Sequence, residues 1–194
     1  ERKSITIRNI YVKVKRQKDD RTLKLSWSRL ISPINQSLVG NYLQTTEAAH
    51  PFRVNTDSIM CAFVEYADPY DSFGKTIRNN AADLFTSASE LPLFEKDYKR
   101  AYSQYSQLPL FESIKRQLEK EFFWETGKYS LDIIIEYDNK EKTFSYSFNI
   151  AEQISKELSC NVEEALVAPL KNAYHTPLNF QFASVELTEK SKRQ

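Results

Sequence analysis

The strongest constraint on the fold lies between Glu125 and Ile150, where two apolar rows of strict period two flank a short polar stretch. Tyr129, Leu131, Ile133, Ile135 and Tyr137 share one parity, Asp138 to Glu141 is polar, and Phe144, Tyr146, Phe148 and Ile150 form the second row. A strand places alternate side chains on opposite faces, so two such rows joined by Asp-Asn predict a β-hairpin with one face turned inward. A chain holding this hairpin must contain a sheet, and the rest of the sequence has to supply its neighbours.

Ser4 to Lys15 alternates as well, but Ile5 and Ile7 have one parity and Ile10, Val12 and Val14 the other, which predicts a β-bulge near Arg8-Asn9. After the polar turn QKDDR, Leu23, Leu25, Trp27 and Arg29 alternate with Lys24, Ser26 and Ser28, giving a second hairpin. Pro33 ends that strand, and Ser32 to Pro51 reads mostly as loop. Phe52 and Val54 suggest a short strand. Ile59 to Tyr66, apolar on both parities, predicts a central strand.

Helical spacing takes over from Phe73 to Leu84. Two copies of LPLFE follow, at 91–95 and 108–112, each placing a proline ahead of helix formers, a residue the first helical turn tolerates because its missing N–H has no intrahelical partner. Both are read as the openings of amphipathic helices with Leu-Phe packed inward. Ala151 to Ala173 predicts another helix, broken near Cys160-Asn161 and ended or kinked at Pro169. Leu178 to Leu187 reads as a last strand. The expected chain is α+β and a single domain over 1–194. Its antiparallel β-sandwich core draws on 1–70, 124–150 and 178–188, with a helical insertion over 71–123 and a helix over 151–173.

The hairpin segment resembles the terminal hairpin of bacterial immunoglobulin-like and fibronectin-like β-sandwich domains. There a Gly-x-Tyr opens one strand, an Asp/Asn turn follows and the last strand ends Phe-x-Ile; the matching residues are Gly127, Tyr129, Asp138, Asn139, Phe148 and Ile150. The resemblance covers about thirty residues, and the 3 glycines and the helical insertion depart from it. It implies a binding module of the kind carried by membrane-anchored or cell-surface bacterial proteins.

Chemistry is sparse in the sequence. Lys and Arg number 27 against 26 Asp and Glu, so no net field points to nucleic acid or an anionic membrane. No stretch of eighteen apolar residues exists, so attachment to a membrane requires a segment outside this chain; the start at Glu1 suggests a piece of a longer protein. There is no G-x-S-x-G, no phosphate-cradling glycine loop, no H-E-x-x-H and no paired-cysteine ligand spacing. His50 and His175 each sit close before a proline, as in loops. Cys61 reads as a core thiol, and Asp57, Asp68 and Asp71 as turn and cap residues. Asp132 and Glu136 share one face of a strand, where a wetted position explains them. No catalytic residue, metal ligand or cofactor is assigned.

Tyrosine is abundant, with 11 residues. Tyr98, Tyr102 and Tyr105, flanked by Lys99 and Arg100, combine aromatic area with a cationic rim, which suits a protein interface. The reading is a non-enzymatic binding or scaffolding domain with these five residues as its contact surface. The competing reading is a hydrolase-type enzyme with a pocket between the helical insertion and the sheet, lined by His50, Asp57 or His175.

Overall fold

In a computed structural model, residues 4–31, 35–36, 42–43, 46–55, 62–89 and 97–190 are described. The chain is α+β with an open antiparallel sheet. In order, it forms β1 (Ser4–Arg16), β2 (Thr22–Ile31), β3 (Asn35–Gln36), β4 (Tyr42–Leu43), β5 (Thr46–Ala48), β6 (Phe52–Asn55), β7 (Phe63–Ala67), α1 (Ser72–Ser89), α2 (Tyr98–Ser106), α3 (Pro109–Glu121), β8 (Gly127–Tyr137), β9 (Lys140–Ile150), α4 (Glu152–Leu166), α5 (Ala168–Ala173) and β10 (Thr188–Glu189). Two compact units result. One comprises 1–70, 128–148 and 186–194, and the other 71–127 and 149–185. The expected insertion and the helix after it therefore belong to one helical unit.

Among the described residues the sheet unit holds eight strands in the order β10-β9-β8-β1-β2-β5, with β6 on β1 and β7 on β2, plus the β3-β4 ribbon. Both predicted hairpins form. Asp138 and Asn139 take φ of 41° and 66°, the left-handed pair that a two-residue turn of matching twist requires. The turn is tied to β1: Thr6 N donates to Asp138 Oδ1 at 3.0 Å and Arg8 Nη1 to Asn139 Oδ1 at 2.6 Å. The predicted bulge lies there, where the β1-β8 register shifts between Ile7 and Asn9. Beyond Tyr11↔Ser26 the first hairpin parts. β6 takes the freed edge of β1 at Ser4 to Ile7, and β5 takes that of β2 at Arg29 to Ile31.

Face assignment in β8 differs from the alternation rule. Tyr129 is fully buried and stacks on Phe148 at 5.1 Å, but Leu131, Ile133 and Ile135 are only half-buried, and the most buried isoleucine is Ile134, of the opposite parity. Ile134 lies opposite Tyr11, whose ring is covered by Lys24 at 4.3 Å and Lys13 at 5.7 Å, with its hydroxyl donating to Glu141 at 3.3 Å. An aromatic residue flanked by lysine stems buries its neighbour on what the sequence presents as the polar face. β7 is a second correction. Among the described residues it pairs only with β2 and alternates exposed with half-buried positions, so it is no central strand; 56–61, including Asp57 and Cys61, lie outside the described residues.

The helical unit is built on one apolar cluster that draws Ala81, Leu84 and Ala88 from α1, Ala101 and Tyr105 from α2, Phe111, Ile114 and Leu118 from α3, and Val162 and Leu166 from α4. α3 opens at Pro109 as expected, with Phe111 buried, but Leu110 points outward. α2 opens differently: Asp97 caps it, accepting from Lys99 N at 2.9 Å, and the first LPLFE copy lies outside the described residues. α4 runs unbroken through Cys160-Asn161. The break comes at Val167, so that Pro169 falls in the first turn of α5 where it forfeits no hydrogen bond. The expected last strand also differs. Among the described residues only Thr188–Glu189 of this stretch pairs with β9, while 178–187 has no strand pairing.

Candidate binding cleft in the helical unit

Cys160, Glu163 and Glu164 of α4 and Val167 at its C-terminal cap fall at helical spacing, which places them on one stripe. Tyr98 and Tyr102, one turn apart on α2, face that stripe. With Lys171 of α5 and Asn179 and Gln181 beyond it, they line a cleft of about 290 Å³. The segment after α5 is brought back over α4 by side chains acting as strand partners. Asn161 accepts from Gln181 N at 2.7 Å and donates to Gln181 O at 2.8 Å, and Glu164 Oε1 accepts from Asn179 N at 2.5 Å. A helix-ending motif starts this return. His175 takes φ 52°, its N–H bonds Asn172 O, and Thr176 N bonds Lys171 O at 2.8 Å, a Schellman arrangement followed by Pro177.

The cleft holds two adjacent carboxylates with separate partners. Glu163 accepts from the Tyr102 hydroxyl through Oε1 and from Lys115 Nζ at 2.6 Å through Oε2. Burial disfavours its charge, but the hydrogen bonds from Lys115 and Tyr102 outweigh that and hold its pKa below the ordinary value. The bond to Glu163 raises the Lys115 pKa against the effect of burial. Tyr102 is pushed well above an ordinary phenol, first by burial and then by its bond to Glu163. Glu164 is bridged by Lys171 at 2.7 and 2.8 Å, both side chains being nearly buried. Tyr98 is raised by burial, with Lys171 opposing and Glu164 adding.

Of the residues expected from sequence, Tyr98 and Tyr102 line this cleft with rings 6.0 Å apart, and Tyr98 also meets Tyr174 edge-on at 5.9 Å. Lys99 and Arg100 are exposed on α2. Tyr105 is fully buried, its ring against Phe111 and its hydroxyl on Leu166 O, so it is a core residue and offers a partner no area. Sequence reading missed Glu163, Glu164, Lys171, Asn179 and Gln181. For Glu163 and Glu164 the signal was the stripe they share with Cys160, visible once Val162 and Leu166 are set inward; Lys171, Asn179 and Gln181 join it only through the break at Val167 and the turn at His175. A hollow of about 520 Å³ is larger, but it runs along α3 alone, past Glu112, Arg116 and Lys120, and converges on nothing.

The residues considered for catalysis are elsewhere. His50 is exposed, with Nδ1 2.8 Å from Ala48 O and Nε2 3.8 Å from Glu47. His175 serves the helix end described above. Asp132 accepts from Ser145 Oγ at 2.7 Å. Among the described residues no three His, Cys, Asp or Glu side chains are placed to share a metal ion, and no helix is long and apolar enough to cross a membrane. Comparison with protein-family models, with curated proteins and with solved structures gave no match.

Proposed function

We propose that the chain is a non-enzymatic binding or scaffolding domain, the soluble part of a membrane-anchored bacterial protein, which engages a protein partner through the tyrosine-lined cleft and the exposed face of α2. One observation carries the reading: both cleft carboxylates are already neutralised by internal lysines, Glu163 by Lys115 and Glu164 by Lys171. Groups held in ion pairs form a fixed surface of shape and dipoles. A general acid or base needs a proton free to move at working pH, and the bonds from Lys115 and Tyr102 to Glu163 oppose that. Tyr98 and Tyr102 supply area at small entropic cost, and Lys99 and Arg100 a charged rim.

The finer fold reading, an immunoglobulin-like sandwich, belongs to the same proposal. It draws support from the parting of β1 and β2, each with a register shift, at Ile7/Asn9 and Trp27/Arg29. Bends of this kind let strands pass between the layers of a sandwich.

A photo-cross-linking amino acid at Lys99 tests the function. The partner captured should bind wild type at least tenfold more tightly than Tyr98→Ala, since a buried aromatic anchor is worth about 2 kcal/mol or more. Equal affinity would remove the cleft from the interface. The hydrolase alternative is tested on ester, phosphoester and peptide substrates: turnover that disappears in Glu163→Gln would make the cleft an active site.

A further inference from the structure

Residues 178–182 read Leu-Asn-Phe-Gln-Phe. In an extended chain, alternate residues turn their backbone groups to opposite edges and their side chains to opposite faces. Asn179 and Gln181 spend their backbone N–H groups on Glu164 and Asn161, and their side chains line the cleft. Leu178, Phe180 and Phe182 therefore direct their backbone groups to the other edge, where none has a hydrogen bond among the described residues. Their side chains are open to solvent, at 41, 40 and 90 %. An unpaired edge with an apolar row invites another strand.

We infer that this edge pairs with the same edge of a second copy of the chain. The sequence is what selects that occupant, because it is symmetric in character about Phe180. In an antiparallel pair on a two-fold axis, Phe180 lies opposite Phe180, Leu178 opposite Phe182 and Asn179 opposite Gln181, so apolar meets apolar and amide meets amide. The backbone agrees. Phe180 turns both N–H and C=O outward, as a hydrogen-bonded antiparallel pair demands, and the same holds for 178 with 182. A one-residue slip sets outward residues against inward ones, and a two-residue slip keeps only two of the three apolar pairs, so the register centred on Phe180 is the best matched. The pairing leaves the cleft untouched, since the cleft lies on the α4 side of the segment.

Sedimentation equilibrium of the full chain from 1 µM to about 1 mM tests this, because an interface of five residues per copy falls in the weak class. Reversible dimers are expected. Phe180→Pro removes the outward N–H together with the central ring of the apolar row, leaves the Asn179 and Gln181 N–H groups that bond α4, and should weaken the dimer at least tenfold with amide exchange of the helices unchanged. Should that variant misfold, Phe182→Glu, which alters a side chain 90 % exposed, reads the same edge. Isotope-filtered NMR on mixed labelled and unlabelled chains should show Asn179 Hα against Gln181 Hα across the dimer. A chain monomeric at 1 mM, a dimer indifferent to both substitutions, or a dimer without that contact overturns the inference. So does a monomeric chain that takes a foreign extended peptide on this edge.

Discussion

Single residues fix the ends of elements here, and two make separable predictions. Arg16 is 3 % exposed and is held by Asp19 at 2.9 and 2.6 Å across the β1-β2 turn. That bond is the chief reason the Asp19 pKa falls to about 2. A depressed carboxyl contributes stability above its unfolded pKa, about 3.9, and loses it as pH falls through the folded value. Melting temperatures of wild type and Asp19→Asn should thus differ at pH 6, draw together between pH 4 and 2, and meet below pH 2; parallel curves would show that the pair does not act on folding. At the other end of the chain, His175 occupies the left-handed position after α5. Any side chain with a Cβ is strained there, so His175→Gly should gain about 0.5–1 kcal/mol and His175→Val lose about 1–2 kcal/mol in urea unfolding. The sequence places this histidine in a loop because of the nearby proline. It does not announce the positive φ, which follows from the Schellman bonds.

At the scale of elements, hairpins were legible and their surroundings were not. Asp138-Asn139 states its turn outright, and the parity switch in β1 marks the bulge at Ile7/Asn9. The alternation in β8 misled about burial, because buried Tyr11 of β1, its ring capped by Lys13 and by Lys24 of β2, stands opposite Ile134, a fact not local to β8. Ile134→Ala should accordingly cost about 2–5 kcal/mol, and Ile133→Ala less, since Ile133 is only half-buried. Equal costs would restore the simple alternation. The segment 178–187 has the composition of a strand, yet Asn161 and Glu164 take the backbone groups a sheet would have used. Asn161→Ala should release it: a loss of about 1–2 kcal/mol, with faster exchange at the Gln181 amide in particular. Protection unchanged at Gln181 would mean that the side chain is not what holds the segment. The cleft was half legible for the same reason. Tyrosine spacing exposed Tyr98 and Tyr102, whereas Lys171 and the returning segment reach Glu164 only through the break at Val167 and the turn at His175.

Across the whole molecule, each unit is assembled from separated stretches of chain, which no local pattern records. The helical cluster joins residues of 71–127 to residues of 149–185, with Leu84, Leu118 and Leu166 all fully buried in it. Leu118→Ala should destabilise that cluster by about 2–5 kcal/mol, with exchange rising in α1, α3 and α4 while β1 and β8 keep wild-type protection. A uniform rise would show that the two units open as one. The same discontinuity sets a timetable during synthesis. α3 is complete at Glu121, but Leu166 of α4 is added 45 residues later. At roughly 5–20 residues per second the ribosome needs about 2–9 s to make that stretch. Phe111, Ile114 and Leu118 therefore leave the tunnel before the helix that covers them exists, and the β8-β9 hairpin is made in the interval. A nascent chain stalled with α3 clear of the tunnel and α4 still inside it should bind ribosome-associated chaperones through α3, and one stalled far enough on for α4 to emerge should not.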